Sequence, residues 1–252
     1  MNSCCSTFIK LNYCVRGAKG LSVLIVVAHP DDEVLGCGAT ASLLASRGVS
    51  VHSCILSGGV NARQQRPTDQ ELDHDIYAAQ EIMGLGKPVV GDFPNIEFNI
   101  VPHIEMVRFI EEAIILTRAD VVFTHHPGDL NTDHRHASCA CQAACRLFQR
   151  RPDVARLRGL HFMEILSSTD WAFAGAGSPF APTSFVEVGQ AFLHVKIEAL
   201  RAYRRVMRDF PHPRSEEVLT GLAAYRGGQS GFKYAEAFQT AFSTAIVGDT
   251  LL

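Results

Sequence analysis

The 252-residue sequence has no excess of positive charge, no linker, no internal repeat and no long apolar run. Its formal net charge of −3 offers no basic surface to nucleic acid or to an anionic membrane, so we expect a small-molecule partner and no nucleic acid. The first apolar run is only about six to eight residues long, which is too short to cross a bilayer. The sequence therefore predicts no membrane insertion.

Paired cysteine motifs are also missing, since the eight cysteines are unevenly spaced and include no C-x-x-C. This pattern is typical of reduced thiols in a cytosolic protein. Cys139, Cys141 and Cys145 fall within one predicted helix, and packing or surface thiols explain them better than a metal cluster does. Because no secretory signal is visible, we expect a cytoplasmic protein, and a homo-oligomer is possible. We predict an irregular N-terminal segment over residues 1–20 and one domain over residues 21–252.

A short apolar run near the N-terminus ends abruptly in polar residues. The residues from Val23 to Val27 are all β-branched or leucine, which predicts a strand buried on both faces of a parallel sheet. The residues that follow are His29, Pro30, Asp31, Asp32 and Glu33. In open α/β sheets, ligands bind at the carboxyl ends of the strands, so this corner is a candidate site.

Strand-like and helical segments then alternate along the chain. Further strands are predicted at 49–56, 87–91, 120–124 and 160–166, and helices at 34–47, 68–84, 102–118, 137–148 and 195–207. The alternation predicts an α/β fold, namely a Rossmann-like three-layer αβα sandwich with a mainly parallel sheet. Thr68 and Glu71 form a capping box at the start of the second helix. The pattern predicts no topology beyond Ser167.

The strand predicted at 120–124 also ends in polar residues. The side chains that follow it include His125, His126, Asp133 and His134. Because the carboxyl ends of parallel strands lie along one edge, we expect these groups to converge with those of the first strand end. Two imidazoles and one carboxylate are the ligand set of a catalytic zinc ion, which keeps one position open for water.

Taken alone, each of these residues has an ordinary structural explanation. Asp32 can cap the following helix, Glu33 is favoured by the helix dipole, and His29 can be a hydrogen-bonded loop residue. Taken together they are harder to explain, because two polar strand ends at one edge would concentrate unpaired polar groups without structural gain.

Two segments carry a resemblance to a known family. Residues 28–33, Ala-His-Pro-Asp-Asp-Glu, and residues 131–134, Asn-Thr-Asp-His, resemble the two signatures of the LmbE-like (PIG-L) family of zinc-dependent N-deacetylases. Segments 124–126, 211–215 and 234–238 resemble the branch of that family that acts on amino-sugar intermediates of antibiotics and surface glycans. The resemblance covers roughly residues 21–242.

The resemblance implies one zinc ion per chain, bound by His29, Asp32 and His134, with Asp31 as general base. The implied reaction is removal of an N-acetyl group from an N-acetylglucosaminyl-type substrate by metal-activated water. Many members of the family carry a histidine three positions before the last ligand, and this chain has Asn131 there. An amide can donate a hydrogen bond to an oxyanion but cannot deliver a proton. The acid is then Asp31, returning its proton, or His126.

Other residues around these motifs are weaker candidates. Asp133 is expected to contact the metal-binding side chains without binding the metal itself. Arg63, Arg66 and Arg214 are candidates for binding substrate hydroxyls or phosphates, although each is as readily explained as a surface or structural arginine.

Three alternatives compete with this interpretation. Residues 36–41, Gly-Cys-Gly-Ala-Thr-Ala, fit G-x-G-x-x-A and would suit a non-catalytic Rossmann-like nucleotide-binding module. The acidic residues 31–33 would then face the pyrophosphate, which argues against it, and close packing explains the glycines. A serine hydrolase is disfavoured because residues 228–232 lack the closing glycine of G-x-S-x-G. A non-catalytic relative that keeps the fold also remains open.

Overall fold

The computed structural model describes residues 20–59, 67–175 and 177–244. Its strands are β1 (Ser22–Val27), β2 (Ser50–Ile55), β3 (Val89–Val90), β4 (Val121–His125), β5 (Gly159–Met163), β6 (Ser184–Glu187) and β7 (Ala235–Ser243). Its α-helices are α1 (Asp32–Ser46), α2 (Asp69–Met83), α3 (His103–Thr117), α4 (Thr132–Ala144), α5 (Gly189–Ala202) and α6 (Glu216–Ser230). None of these helices combines the length and apolar character needed to span a membrane. The predicted N-terminal segment up to residue 19, and the candidates Arg63 and Arg66, lie outside the described residues.

The seven strands form one sheet in the order β3-β2-β1-β4-β5-β7-β6. Strands β3, β2, β1, β4 and β5 are parallel to one another. Strand β7 runs antiparallel to both β5 and β6. The predicted mainly parallel α/β sheet is therefore confirmed, with one antiparallel strand near the edge.

Successive residues of β1 pack into two separate cores. Val23, Ile25 and Val27 belong to a cluster with side chains of α1, α2, α5 and α6. Leu24, Val26 and Ala28 belong to a second cluster with side chains of α3 and α4. Because side chains alternate across a strand, helices cover both faces of the sheet. This is the three-layer arrangement that the unbroken apolar run of β1 predicts.

The helix ends follow the predicted chemistry with two exceptions. Helix α5 (Gly189–Ala202) begins six residues before the predicted start at residue 195 and ends five residues before the predicted end at residue 207, so its predicted bounds were wrong. Thr68 and Glu71 form the capping box, and Gly84 ends α2 with a φ of 72°. Helix α4 begins at Thr132, five residues earlier than predicted, because the Asn131 side chain accepts a hydrogen bond from the Asp133 N–H and acts as N-cap. Its first turn lacks the apolar spacing that marks a helix in sequence, so the predicted start at residue 137 was wrong.

Helix α1 is kinked at Cys37, whose φ is −151°. The kink leaves helix backbone groups without helical partners, and a buried ion pair takes their place. Lys196 Nζ donates to the Leu35 carbonyl, while Glu236 accepts from the Ala39 and Thr40 N–H groups. The two charges lie 2.7 Å apart.

The glycine motif at residues 36–41 has a packing explanation. A Cβ atom on Gly36 would lie 2.5 Å from the Met163 sulfur, so any larger residue there would force the Met163 side chain to move. The nucleotide-binding alternative is not favoured.

Candidate metal centre and active site

The candidate site lies where the strand order of the sheet reverses. Strand β1 pairs with β2 on one side and with β4 on the other, so the carboxyl ends of β1 and β4 meet at this edge. A tight turn joins β1 to α1, in which the His29 N–H donates to Asp32 Oδ2 at 3.0 Å. Asp31 is the N-cap residue of α1 and has a φ of 94°. This turn holds His29 and Asp32 opposite the first turn of α4.

Three buried ligand atoms form a nearly equilateral triangle at this edge. His29 Nδ1 lies 3.3 Å from His134 Nε2 and 3.4 Å from Asp32 Oδ2, and His134 Nε2 lies 3.2 Å from Asp32 Oδ2. Ligands about 2.05 Å from a tetrahedral ion are separated by roughly 3.3 Å, which is the edge of the tetrahedron. The three side chains therefore fit one face of a tetrahedral metal site. The predicted convergence of the two strand ends is present, although 105 residues separate the two histidines.

A carboxylate stands behind each of the two histidines. His29 Nε2 lies 3.0 Å from Asp133 Oδ2, and Asp133 also accepts the N–H groups of Ile96 and Phe98. His134 Nδ1 lies 3.2 Å from Asp129 Oδ2. Such carboxylates fix the tautomer and orientation of a metal-binding imidazole. The structure thus places Asp133 where it is expected, and it adds Asp129.

Asp129 is a residue that the sequence analysis missed. Its carboxylate accepts hydrogen bonds from Ser168, from Thr169 Oγ1 at 2.6 Å and from the Asn131 N–H at 2.8 Å. Asp129 lies in the visible polar stretch after β4, but no spacing rule assigns it to His134. No sequence signal pointed to Ser168 and Thr169, because they lie beyond the motifs.

The electrostatics of the triangle favour a cation. Burial alone would lower the pKa of His134, but the carboxylates of Asp32 and Asp129 outweigh burial and raise it to about 10. Burial likewise opposes ionisation of Asp32, yet His134 and His29 hold its pKa well below the usual range. The positive charge that this site favours is therefore carried by a proton on His134. A metal ion bound there would displace it, so binding would release a proton.

Asp31 is paired with an arginine from the distant part of the chain. Arg214 Nη1 lies 3.2 Å from Asp31 Oδ2, and Arg214 Nε donates to Ser167 Oγ at 2.8 Å. The Asp31 side chain is 1% exposed. The structure therefore brings Arg214 to the site, where its described partners are protein groups, and its use in substrate binding stays a prediction.

Glu33 stabilises the same turn through hydrogen bonds to its backbone and to the core. One of its oxygens accepts the Asp31 N–H at 3.1 Å. The other accepts from Tyr203 Oη at 2.6 Å and from Gln80 Nε2 at 3.1 Å. Burial raises the pKa of Glu33 to about 8. Glu33 therefore anchors the Asp31 backbone to the core rather than facing the triangle.

The two remaining polar candidates are held by other groups. His126 accepts the Gly128 N–H at Nδ1, and its Nε2 lies 3.1 Å from Gln239 Oε1, so both ring nitrogens are occupied away from the triangle. The structure does not bring His126 among the three atoms of the triangle, and its role as the acid stays a prediction. Asn131 uses its Oδ1 to cap α4, which leaves its amide N–H₂ as the donor.

A second group of possible ligands, His125, Asp129 and His134, is less suitable for a metal. The rings of His125 and His134 are stacked, with centroids 3.9 Å apart and planes inclined by 19°. Their in-plane lone pairs therefore run side by side and do not converge. His125 Nε2 accepts the Ala28 N–H, and burial lowers the pKa of His125 to about 3. The first triangle is the better metal site.

The chain is similar to several known proteins. The family described as "PIG-L: GlcNAc-PI de-N-acetylase" matches residues 24–145, which contain the triangle and both supporting carboxylates. The "Uncharacterized deacetylase YaiS" of Escherichia coli K12 is 24% identical over 193 residues, covering 74% of this chain and 92% of the relative. The "Diacetylchitobiose deacetylase" of Thermococcus kodakarensis is 26% identical over 233 residues, covering 86% and 82%.

Solved structures extend the likeness to nearly the whole chain. The conserved protein TT1542 from Thermus thermophilus superposes with a TM-score of 0.73 at 27% identity, covering 92% of this chain and all of that one. The hydratase GalB from Pseudomonas putida KT2440 superposes with a TM-score of 0.70 at 21% identity, covering 90% and 98%. The second likeness concerns the fold alone, and the fold hosts more than one chemistry. The chain thus carries a PIG-L (LmbE-like) family match over residues 24–145 and both signatures, and its relatives include proteins named as deacetylases.

Proposed function

We propose that the protein is a zinc-dependent N-deacetylase that hydrolyses the acetamide of an N-acetylated amino sugar, with one ion per chain. The observation that carries the proposal is the triangle of His29 Nδ1, Asp32 Oδ2 and His134 Nε2, with edges of 3.2–3.4 Å. Two nitrogens and one carboxylate oxygen suit zinc better than magnesium or calcium, which prefer oxygen ligands. A relative named for diacetylchitobiose supports the amino-sugar class.

The three ligands would hold the ion through nitrogen and oxygen atoms that are already oriented from behind. Asp133 and Asp129 keep His29 and His134 in the required tautomers. When bound, zinc would lower the pKa of a coordinated water and polarise the acetamide carbonyl.

Asp31 is the proposed proton carrier. As general base it takes the proton of the attacking water, while Arg214 holds its Oδ2 and so fixes the orientation of the carboxylate. The leaving nitrogen must be protonated, because an amide anion is a very poor leaving group. Asp31 returns its proton for this step, since both nitrogens of His126 are engaged elsewhere.

Asn131 is the proposed hydrogen-bond donor to the developing oxyanion. Its position at the N-cap of α4 fixes the side chain, because Oδ1 is held by the Asp133 N–H at 2.9 Å. The amide N–H₂ then points away from the helix backbone. A fixed donor of this kind stabilises a transition state without reorganisation.

The test is a hydrolysis screen on protein whose zinc content is assayed in the same preparation. The substrates are N-acetylglucosaminyl compounds of three kinds, namely a nucleotide sugar, a disaccharide or pseudodisaccharide, and a lipid-linked sugar. We expect stoichiometric release of acetate and of a primary amine from at least one of them. The matched control is Asp31→Asn, which keeps the shape of the side chain. Zinc-loaded protein that releases acetate from none of the compounds would instead indicate a non-catalytic relative.

A further inference from the structure

Trp171 is the only tryptophan of the sequence, and its ring contacts that of His212. Its side chain is 47% exposed. Its ring meets that of His212 edge-on, with the centroids 6.0 Å apart and the planes inclined by 69°. The contact leaves about half of the Trp171 side chain open to solvent.

Each of the two contacting rings lies in a segment that is hydrogen-bonded to residues of the candidate site. Two residues before Trp171, the Thr169 hydroxyl donates to Asp129 at 2.6 Å, and Asp129 contacts His134. On the other side, His212 Nδ1 accepts the Arg214 N–H at 3.0 Å, and Arg214 contacts Asp31. Two segments that fix the proposed metal ligand and the proposed base therefore meet at Trp171.

Open space adjoins the same segment. Ala172, the next residue, lines a cavity of 140 Å³. The other residues that line the cavity include Gly128, Leu130, Arg135 and Ser178. Its wall is therefore mixed, with an apolar part from Leu130 and Ala172 and polar groups from Arg135 and Ser178. A polar ligand with one apolar face suits such surroundings better than a wholly apolar one.

We propose that Trp171 is the platform for a second sugar ring, linked glycosidically to the ring whose acetamide is hydrolysed. The inference rests on the proposed function and narrows its substrate class to N-acetylated disaccharides and larger glycosides. A pyranose presents C–H groups on its face and hydroxyls around its edge. An exposed indole matches the face, and the arginine, serine and histidine side chains nearby match the edge.

Because Trp171 is the sole tryptophan, the intrinsic emission of the protein reports this platform directly. The zinc-loaded Asp31→Asn variant is titrated with N,N′-diacetylchitobiose and, separately, with N-acetylglucosamine. We expect a saturable change in tryptophan emission with the disaccharide, and at most a small change with the monosaccharide. The Trp171→Phe variant, which keeps an aromatic ring, identifies any emission that does not come from Trp171.

Kinetics on the otherwise unaltered enzyme provide the second measurement. Trp171→Ala should raise the KM for the disaccharide roughly three- to tenfold, the range for one aromatic contact, with kcat nearly unchanged. Trp171→Phe should restore most of the loss. The monosaccharide should respond to neither change. The matched control is Phe173→Ala, since Phe173 is 78% exposed and makes no ring contact within the described part of the chain.

The outcomes separate this inference from the proposed function. A saturable emission change in a protein that deacetylates none of the sugars would support the platform and count against the deacetylase proposal. A flat emission signal at saturating disaccharide overturns the platform, whether or not the protein is active. An active enzyme in which Trp171→Ala leaves the disaccharide KM unchanged overturns it as well.

Discussion

Asp31 is the residue on which the geometry of the site depends most directly. Its φ of 94° is rare for a residue other than glycine and costs about 1–3 kcal/mol. The contacts that hold it there include Glu33 at the backbone N–H, Arg214 at the carboxylate and the Leu35 N–H at the backbone carbonyl. The unusual backbone turns Asp31 toward Arg214 while Asp32 faces the two histidines. Two adjacent aspartates thereby acquire different surroundings.

We predict that these two aspartates fail in different ways when they are replaced. Asp32→Ala removes a charged ligand and should lower the zinc occupancy of the purified protein. Asp31→Asn keeps shape and metal but removes the proton acceptor, and should lower kcat by about 10² to 10⁴. Zinc content and kcat measured on both variants test the assignment. Loss of zinc in Asp31→Asn, or full zinc and full rate in Asp32→Ala, would mean that the roles are assigned wrongly.

Asn131 has two roles that a pair of substitutions can separate. Its Oδ1 caps α4, and its amide is the proposed oxyanion donor. Asn131→Ala should lose both, with a stability loss of about 1 kcal/mol and a fall in kcat of roughly ten- to a thousandfold at full zinc occupancy. Asn131→Ser keeps a capping oxygen but not the amide, so it should fold as stably as the parent and still lose rate. Equal kcat in the parent and both variants would assign the oxyanion to the metal alone.

At the residue scale, the sequence identified those site residues that belong to a recognisable motif. His29, Asp32 and His134 all lie in the two signatures, and the structure places them within 3.4 Å of one another. Asp129 was missed, because nothing in a run of polar loop residues says which acid turns toward which histidine. Whether His126 serves as the acid stays a prediction, and its ring lies apart from the triangle. Adjacent residues at a strand end point to opposite faces, and only His125 stacks on His134.

At the scale of elements, α1 shows how a buried charge pair replaces helical hydrogen bonds. The kink at Cys37 frees the Leu35 carbonyl and the N–H groups of Ala39 and Thr40. Lys196 from α5 and Glu236 from β7 bind these groups, and both side chains are at most 8% exposed. The pair therefore joins the last antiparallel strand to the helix that carries Asp32.

This arrangement predicts an unusual result in a double-mutant cycle. Removing one member, as in Lys196→Met or Glu236→Gln, leaves a buried charge unpaired and should cost about 3–5 kcal/mol of the free energy of unfolding. Many buried ion pairs can be replaced together at little cost. Here the combined variant should remain about 1–3 kcal/mol less stable than the parent, because backbone groups at the kink lose their partners. Urea unfolding of the four proteins measures this, and a double variant as stable as the parent would contradict the capping role.

Element prediction succeeded where the apolar pattern was strong and weakened where it was not. Strands β1, β2 and β4 and helices α2 and α3 lie close to their predicted positions, since buried faces dictate their spacing. Beyond Ser167 no topology was predicted. Strand β6 is a four-residue edge strand with no fully buried side chain, and β7 loses its buried pattern after Phe238. Strands that are only partly buried, such as the edge strand β6, carry little periodic signal.

At the scale of the whole molecule, the sheet order makes the site. The ligand-bearing ends of β1 and β4 are neighbours only because the strand order reverses between them. The sequence predicted a parallel sheet, and hence that the carboxyl ends of its strands share one edge. It did not predict which strands are neighbours in that sheet. The single domain over residues 21–252, the cytoplasmic location and a homo-oligomer stay predictions.

The metal content of the whole protein distinguishes the two ligand groups that share His134. If the triangle of His29, Asp32 and His134 is the site, the purified protein should hold one zinc ion per chain. His134→Ala should abolish binding, whereas His125→Gln should retain one ion. Glutamine is the suitable replacement at residue 125, since its amide oxygen can still accept the Ala28 N–H now bound by His125 Nε2.

Removal of the ion should also destabilise the fold, because the ion binds the folded state and not the unfolded one. At free zinc a hundred times above its dissociation constant, this linkage is worth about 2.7 kcal/mol. For a chain of this size, a chelator should therefore lower Tm by roughly 5–10 °C. The Tm of His134→Ala should be insensitive to the chelator, and that of His125→Gln should fall as the parent's does. A Tm of His125→Gln that no longer responds to the chelator, or a chelator-sensitive Tm in His134→Ala, would place the metal site outside the triangle.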